Sequence, residues 1–341
     1  MASFLPICIQ GTTSNGGGSL ARLDDREGAW STSGTKSPPG SPMAQPLSPT
    51  EQTDTEEVPI PLHEAYAACE AIVRSHYENF PVASRFLTPA RRSSLAAIYA
   101  FARRADDVAD ASAPPRERLE AIDQIEVALH RAVDGAPSGP IFVALADSVE
   151  RFRLPVEPLL DLLSAFRQDA RDETFSTWDD LLAYCRGSAN TIGRLVLALH
   201  DIEDADALRE SDAICTALQL TNFWQDLGGD LTRGRLFLPL EDLRRFGLTR
   251  EDLARPAQRG LLTRLLVHEC RATNELYERG RPIVRRVPFG LSLQLRLTIA
   301  GGRAVLRQVE RSGWRVLRNR PTLGGPARAR ILLTSLLGFD A

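Results

Sequence analysis

The sequence predicts an all-α fold built as one domain. Apolar residues recur at helical spacing through most of the chain after residue 58. Sustained period-two alternation of β-branched residues, which is typical of strands, is hard to find in it. Proline and glycine are spread too evenly to mark a linker between two domains, and 341 residues are enough to bury one large core.

The first 57 residues differ in composition from the rest of the chain. Gly, Ser, Thr, Pro and acidic residues dominate there, and periodic apolar positions are almost absent. Such a segment buries too little apolar surface to offset the entropy of ordering it. We therefore expect residues 1–57 to be a disordered low-complexity extension and residues 58–341 to form the folded domain.

Helical patterns follow one another along the expected folded domain. Pro114 and Pro115 stop the second pattern, and Pro155 lies where a later helix is expected to begin. Ser176 or Thr177, just ahead of two aspartates, is a suitable N-terminal cap. The predicted helices cover residues 64–80, 91–111, 116–133, 140–152, 156–170, 178–187, 189–200, 211–227, 261–279 and 291–318.

Composition and charge argue against several classes of function. A net charge of −3 is unfavourable for bulk nucleic-acid binding. Lys36 is the single lysine and lies in the expected extension, which argues against Schiff-base catalysis and a phosphate-loop lysine. The five cysteines are scattered and form no zinc or redox motif. Because neither a secretory signal nor a run of about eighteen apolar residues is recognised, we expect a cytoplasmic protein with reduced thiols.

Two acidic motifs about a hundred residues apart are the main functional signal. Asp106 and Asp110 lie four residues apart in one predicted helix, and Asp226 and Asp230 repeat that spacing at the end of another. Residues at this spacing share a helix face, provided that the second helix continues through the two glycines inside its motif. Two like charges on one face destabilise a helix by a few tenths of a kcal/mol, a cost that a bound cation would offset.

The arginines beside these motifs indicate an anionic ligand. Arg103 comes one turn before the first motif, and Arg233 and Arg235 follow the second motif closely. Mg²⁺ prefers carboxylate oxygens and completes its coordination shell with water and substrate phosphates. The pattern therefore predicts a diphosphate leaving group held by arginines and Mg²⁺, with Mn²⁺ as an alternative ion. A solvated helix face is the alternative explanation for a single Asp pair, and finding two pairs favours the metal site.

The residues around these motifs resemble the squalene and phytoene synthase family. The resemblance implies an all-α, isoprenoid-synthase-type helical bundle around a central cavity, with the two aspartate motifs facing each other across it. It runs from about residue 76 to residue 239, with compatible helices to about residue 320. It is carried by residues 99–110, 184–185, 189–193 and 219–239.

Residues 76–84 resemble the hydroxysqualene synthase branch of bacterial hopanoid pathways in particular. That resemblance implies Mg²⁺-dependent conversion of presqualene diphosphate and water to hydroxysqualene and diphosphate, in squalene and hopanoid biosynthesis, with no NADPH required. It also implies an upstream presqualene diphosphate synthase and a downstream hydroxysqualene reductase as functional partners.

The family resemblance also assigns roles to single residues. Tyr184 matches the tyrosine with which the family steers the carbocation, or its proton, after diphosphate leaves. Asn222 matches a polar residue near the second metal site. Positions that line the family's substrate pocket are matched by His76, Phe80, Tyr99, Ala189, Ile192, Gly193, Ile214 and Leu218. For the apolar residues among them, ordinary core packing is the alternative explanation.

The chain departs from the family pattern at two places. Tyr77-Glu78-Asn79-Phe80 stands where most members have Ser-Lys/Arg-Ser-Phe, and residues 225–230 read Gln-Asp-Leu-Gly-Gly-Asp in place of Arg-Asp-x-x-Glu-Asp. Weaker binding of a second diphosphate or a third metal ion would follow, which favours a single diphosphate substrate. The alternatives are head-to-head condensation of farnesyl or geranylgeranyl diphosphate to presqualene, squalene or phytoene, and a non-catalytic helical protein that binds prenyl lipids or a partner.

The C-terminal part of the chain combines basic and apolar residues. Residues 303–330 are rich in arginine, and residues 331–339 form an apolar run. This combination predicts peripheral contact with the anionic inner face of a membrane. The alternative is a core-packing helix with an arginine-rich solvated face.

Overall fold

The computed structural model describes residues 60–76 and 87–336. These residues form helices joined by turns and contain no strand, which confirms the predicted all-α class. None of the helices in this part of the chain is both long enough and apolar enough to cross a membrane. The expected extension at 1–57, the departure at 77–80 with Phe80, and the end of the apolar run at 331–339 lie outside the described residues, as does the side chain of His76.

The first half of the described chain packs around one apolar core. Helix α2 contributes Ile98, Phe101 and Ala105 to this core, where they meet residues of the next three helices. A smaller cluster joins the first helix to α2 and α4 through Cys69 and Tyr99. These helices are α1 (Leu62–His76), α2 (Pro89–Ala109), α3 (Pro115–Val133), α4 (Pro140–Phe152) and α5 (Glu157–Ala170).

The second half of the described chain is organised around α8, which packs against α10, α11, α7 and a π-helix. Trp224 and Leu220 of α8 are completely buried in this core. The segments are α6 (Trp178–Cys185), the π-helix (Arg186–Asn190), α7 (Thr191–Ala198), α8 (Ala205–Thr232), α9 (Leu240–Arg245), α10 (Arg259–Gly280), α11 (Phe289–Ser312) and α12 (Gly325–Leu336).

Helix α8 is longer than the predicted segment 211–227. It begins after Asp204, whose side chain accepts a hydrogen bond from the N–H of Ala207, and it continues through Gly228 and Gly229. A Cβ atom at Gly228 would lie 2.5 Å from the carbonyl oxygen of Leu317. Gly228 is therefore required by the close approach of the 3₁₀ turn Gly313–Leu317, and it does not end the helix.

Other boundaries also differ from the prediction. The predicted helices 178–187 and 189–200 are joined by the π-helix, so no break separates them. The predicted helix 291–318 ends at Ser312, because Gly313 adopts φ +51° and starts the 3₁₀ turn. The predicted helices do not include α9, which is too short to show periodicity, or α12, which covers the end of the basic segment and the start of the apolar run. The predicted cap at Thr177 is confirmed as a capping box with Asp180.

Candidate active site

The first motif lies at the C-terminal end of α2. Asp106 is buried, and its Oδ2 accepts a hydrogen bond from Nη1 of Arg103 at 3.0 Å. Nη2 of the same arginine pairs with Asp107 at 2.6 Å. Burial, followed by repulsion from Asp110, raises the pKa of Asp106 to about 8 in spite of Arg103. Arg103 therefore offsets only part of the burial and repulsion that act on Asp106.

The second motif lies at the C-terminal end of α8. Asp230 is buried and accepts a hydrogen bond from Nη2 of Arg233 at 2.6 Å. Burial raises the pKa of Asp230, although Arg233 opposes that shift. Asp226 pairs with Arg320, whose Nη2 lies 3.1 Å from Oδ2. Each carboxylate of this motif thus has its own guanidinium.

Arg235 connects the two motifs. It follows the second motif in sequence, yet its Nη2 lies 2.5 Å from Oδ1 of Asp110 in the first motif. Its Nε is 3.9 Å from Oδ1 of Asp172, which also pairs with Arg118 at 2.9 Å. The fold therefore brings the ends of α2 and α8 together, as the sequence predicts for a shared site.

Asp169 is a polar residue at this site that sequence reasoning missed. It lies near the end of α5, and the hydroxyl of Tyr184 donates to both of its carboxylate oxygens at 2.9 Å. Desolvation raises the pKa of Asp169 to about 7, against the effects of Tyr184 and Arg235. Asp169 and Asp172 lie three residues apart and form a short acidic motif in the sequence, but that motif does not indicate Tyr184 as a partner.

Arg320 is the second residue that sequence reasoning missed. Its Nη2 donates to Oε1 of Gln225 at 3.2 Å, while Nε2 of Gln225 donates to the carbonyl oxygen of Pro321 at 2.5 Å. A guanidinium therefore stands beside position 225, where the family pattern has an arginine side chain. The sequence gave no signal for this contact except the general arginine richness of the C-terminal segment.

The predicted pocket residues within the described chain are all buried, but they belong to different packing clusters. Tyr99 packs with α1 and α4, Ile192 packs in the core of the first half, and Ile214 and Leu218 pack in the core of the second half. The π-helix and α7 lie directly against α8. A Cβ atom at Gly193 would be 2.6 Å from the sulfur of Cys215. The buried set also includes Ala189 and Asn222.

The donor groups at this end of α2 and α8 suit a hard cation. In the described chain, no three His, Cys, Asp or Glu side chains already form a metal-binding group. Burial is the main cause of the raised pKa of Asp106, and repulsion from Asp110 comes second; a divalent cation would relieve that repulsion. Asp106 and Asp110 would hold such an ion on one side, and Asp226 and Asp230 would do so on the other. The ion would supply stabilisation of a departing diphosphate.

Similarity to known proteins extends over most of the described residues. The family model described as squalene/phytoene synthase matches residues 73–326. A phytoene synthase of Mycobacterium tuberculosis is 34% identical over 187 residues, which are 55% of this chain and 61% of that protein. The chain thus spans less than two thirds of that relative. A hydroxysqualene synthase of Rhodopseudomonas palustris is 33% identical over 236 residues, which are 68% of this chain and 80% of that protein.

Solved structures show the same fold. The crystal structure of squalene synthase HpnC from Alicyclobacillus acidocaldarius matches with a TM-score of 0.71 and 39% identity, covering 75% of this chain and 97% of that chain. A dehydrosqualene synthase crystallised in complex with ligand matches with a TM-score of 0.73 and 26% identity, covering 81% of this chain and 97% of that chain.

Proposed function

The chain belongs to the squalene/phytoene synthase family, and from that membership we propose that it converts presqualene diphosphate and water to hydroxysqualene and diphosphate. The observation that carries the proposal is the contact between Arg235 and Asp110. It joins two Asp pairs and their arginines at one end of the helices, which is the arrangement that a diphosphate leaving group requires.

Ionisation of the substrate is the first task of these residues. Arg103, Arg233, Arg235 and Arg320 would bind the diphosphate oxygens and stabilise the charge that develops as the carbon–oxygen bond breaks. In the bound complex they would exchange carboxylate partners for phosphate oxygens. Mg²⁺, or Mn²⁺ in its place, would be held by the two Asp pairs and would supply further positive charge to stabilise the leaving group.

The cation that remains needs an environment that stabilises it without reacting. Tyr184 lies among three aromatic rings, with ring centroids 5.2 Å from Phe175 and 6.1 Å from both Phe223 and Phe237. Aromatic faces attract cations. Because the hydroxyl proton of Tyr184 is directed to Asp169, the tyrosine oxygen keeps its lone pairs for the cation or its rearranging protons.

Two kinds of support favour the hydroxysqualene reaction. The relative from Rhodopseudomonas palustris carries that activity in its name, and the match covers 80% of its length. Gly229 also leaves the second motif without the carboxylate that the family pattern has there, which weakens a site for a further metal ion. Head-to-head condensation remains the second candidate for two reasons. Arg320 places a guanidinium beside Gln225, where the family pattern has an arginine, and phytoene synthases are among the relatives.

Incubation with defined substrates distinguishes the two reactions. The purified chain, given presqualene diphosphate and Mg²⁺ without NADPH or another reductant, should release diphosphate and form hydroxysqualene, identified by mass spectrometry. Parallel reactions contain farnesyl or geranylgeranyl diphosphate alone. Formation of presqualene diphosphate or phytoene in those reactions would contradict the single-substrate proposal and favour condensation.

The proposal implies functional partners and a location. A presqualene diphosphate synthase would supply the substrate, and a hydroxysqualene reductase would consume the product. The substrate and the product both carry long apolar chains, so their transfer between enzymes near a membrane surface would favour flux. We place the protein in the cytoplasm, in peripheral contact with the inner face of the membrane.

The surface formed by α11 and α12 supports this contact. Arg307 is partly buried and lies near three other arginines, Arg303, Arg330 and Arg311. Its burial and, after that, repulsion from these three residues lower the pKa of Arg307. Leu333, one turn after Arg330, is 59% exposed. Guanidinium groups beside an exposed leucine suit anionic lipid headgroups and the acyl boundary. Sedimentation with phosphatidylglycerol vesicles should exceed sedimentation with phosphatidylcholine vesicles, and equal sedimentation would refute the contact.

A further inference from the structure

Ser188 is a buried hydroxyl with an unused hydrogen-bonding capacity. It lies in the π-helix, is 0% exposed, and its Oγ has no hydrogen-bond partner within the described residues. Neighbouring buried hydroxyls are satisfied: Thr191 donates to the carbonyl oxygen of Gly187 at 2.9 Å, and Thr216 donates to Oδ1 of Asn190 at 2.9 Å. Because buried polar groups almost always have a partner, the hydroxyl of Ser188 is available to a group that binds beside it.

The position of Ser188 in the π-helix indicates which side it faces. It comes four residues after Tyr184 and four residues before Ile192. Side chains four apart point in similar directions on a helix, and the wider π-helical turn changes that direction only modestly. Tyr184 is the residue expected to act on the cation, and Ile192 is expected to line the pocket. Ser188 thus places a hydroxyl between Tyr184 and Ile192 on the same side of the segment.

We propose that Ser188 is the positioning residue for the water that captures the cation, an inference that rests on the proposed function. Its oxygen would accept a hydrogen bond from the water and leave a water lone pair directed at the cationic carbon. That lone pair forms the new carbon–oxygen bond. The proton released from the water passes to the departed diphosphate, so no oxidant or reductant is consumed.

The ratio of alcohol to hydrocarbon products tests this assignment. Without a positioned water, the same cation loses a proton and gives polyene hydrocarbons. Ser188→Ala, incubated with presqualene diphosphate and Mg²⁺, should therefore lower the ratio of hydroxysqualene to hydrocarbons about tenfold, as expected for the loss of one productive hydrogen bond. Diphosphate release should continue, because the groups that ionise the substrate are intact.

Two further variants serve as matched controls. Ser188→Thr keeps the hydroxyl and should stay within about threefold of the wild-type ratio, a small change for a retained hydrogen bond. Thr191→Val removes a buried hydroxyl that already has its own partner, and it should leave the product ratio unchanged. Circular dichroism establishes that each variant is folded.

The outcomes separate this inference from the proposed function. If wild type makes no hydroxysqualene from presqualene diphosphate, the proposed function fails and the role of Ser188 fails with it. If wild type makes the alcohol and Ser188→Ala keeps the same product ratio, the proposed function stands and the role of Ser188 is refuted. A folded Ser188→Ala variant that releases no diphosphate would also refute it, because the residue would then act before water capture.

Discussion

The coupling energy of the ion pair between Arg235 and Asp110, which joins the two motifs, can be predicted from its burial. The two side chains are 12% and 20% exposed, and Nη2 lies 2.5 Å from Oδ1. Breaking a fully buried pair costs about 3–5 kcal/mol, whereas exposed pairs contribute about 0.2–1 kcal/mol. With this intermediate burial, we expect a coupling energy of about 2 kcal/mol between Arg235→Gln and Asp110→Asn.

Urea denaturation of wild type, the two single variants and the double variant measures this coupling. The pair Arg116–Glu120 on the same domain is a suitable control, because its side chains are 88% and 57% exposed. Its coupling energy, from Arg116→Gln and Glu120→Gln, should be about 0.3–0.5 kcal/mol. If the coupling between Arg235 and Asp110 is no larger than that of the control, the two motifs are not joined by this contact.

Three further predictions follow from single side chains. Asp106→Asn or Asp226→Asn should abolish diphosphate release without changing the helical circular dichroism spectrum, and normal turnover would contradict the two-site mechanism. Burial, followed by Asp242, raises the pKa of Glu269 to about 9, so the folded state keeps a proton that the unfolded state loses above about pH 4.5. Stability is therefore lost as pH rises toward 9, and Glu269→Gln should reduce that loss by about 1.4 kcal/mol per pH unit in urea titrations at pH 6–8. Gly228→Ala should lower the melting temperature because its Cβ would meet a backbone oxygen at 2.5 Å, whereas the control Gly229→Ala should raise it by improving helix propensity.

Local patterns predicted most of the helices and the shared helix face of each Asp pair, for an identifiable reason. Asp106 and Asp110, like Asp226 and Asp230, share a helix face because of backbone geometry alone, and sequence spacing fixes that relation. The cap at Thr177 is local in the same sense, since Thr177 and Asp180 exchange bonds across three residues. Such features depend on few neighbours.

Contacts between distant segments were missed because spacing along the chain says nothing about them. Asp226 and Arg320 are separated by 94 residues, and the 3₁₀ turn Gly313–Leu317 that precedes Arg320 packs on Gly228, within the motif of Asp226. Asp169 lies on α5, fifteen residues before the tyrosine whose hydroxyl it accepts. The C-terminal end of α8 was underestimated for a related reason, since Gly228 and Gly229 are unfavourable in a helix by propensity, whereas the close packing of Leu317 on Gly228 is a tertiary contact.

The two differences between the second motif and the family pattern have different physical origins. The missing arginine at position 225 is compensated in space, because Arg320 places a guanidinium against Gln225 and Asp226. The missing carboxylate at Gly229 is not imposed by packing, because the nearest atoms to a Cβ there belong to the Arg233 guanidinium at 3.9 Å. A glycine in a helix costs about 1 kcal/mol relative to alanine, and at position 229 no close contact requires it. The asymmetry of the site therefore reduces to one absent carboxylate. Under the proposed function, this absence would lower the capacity for metal ions and leave the positive charge for a single diphosphate in place.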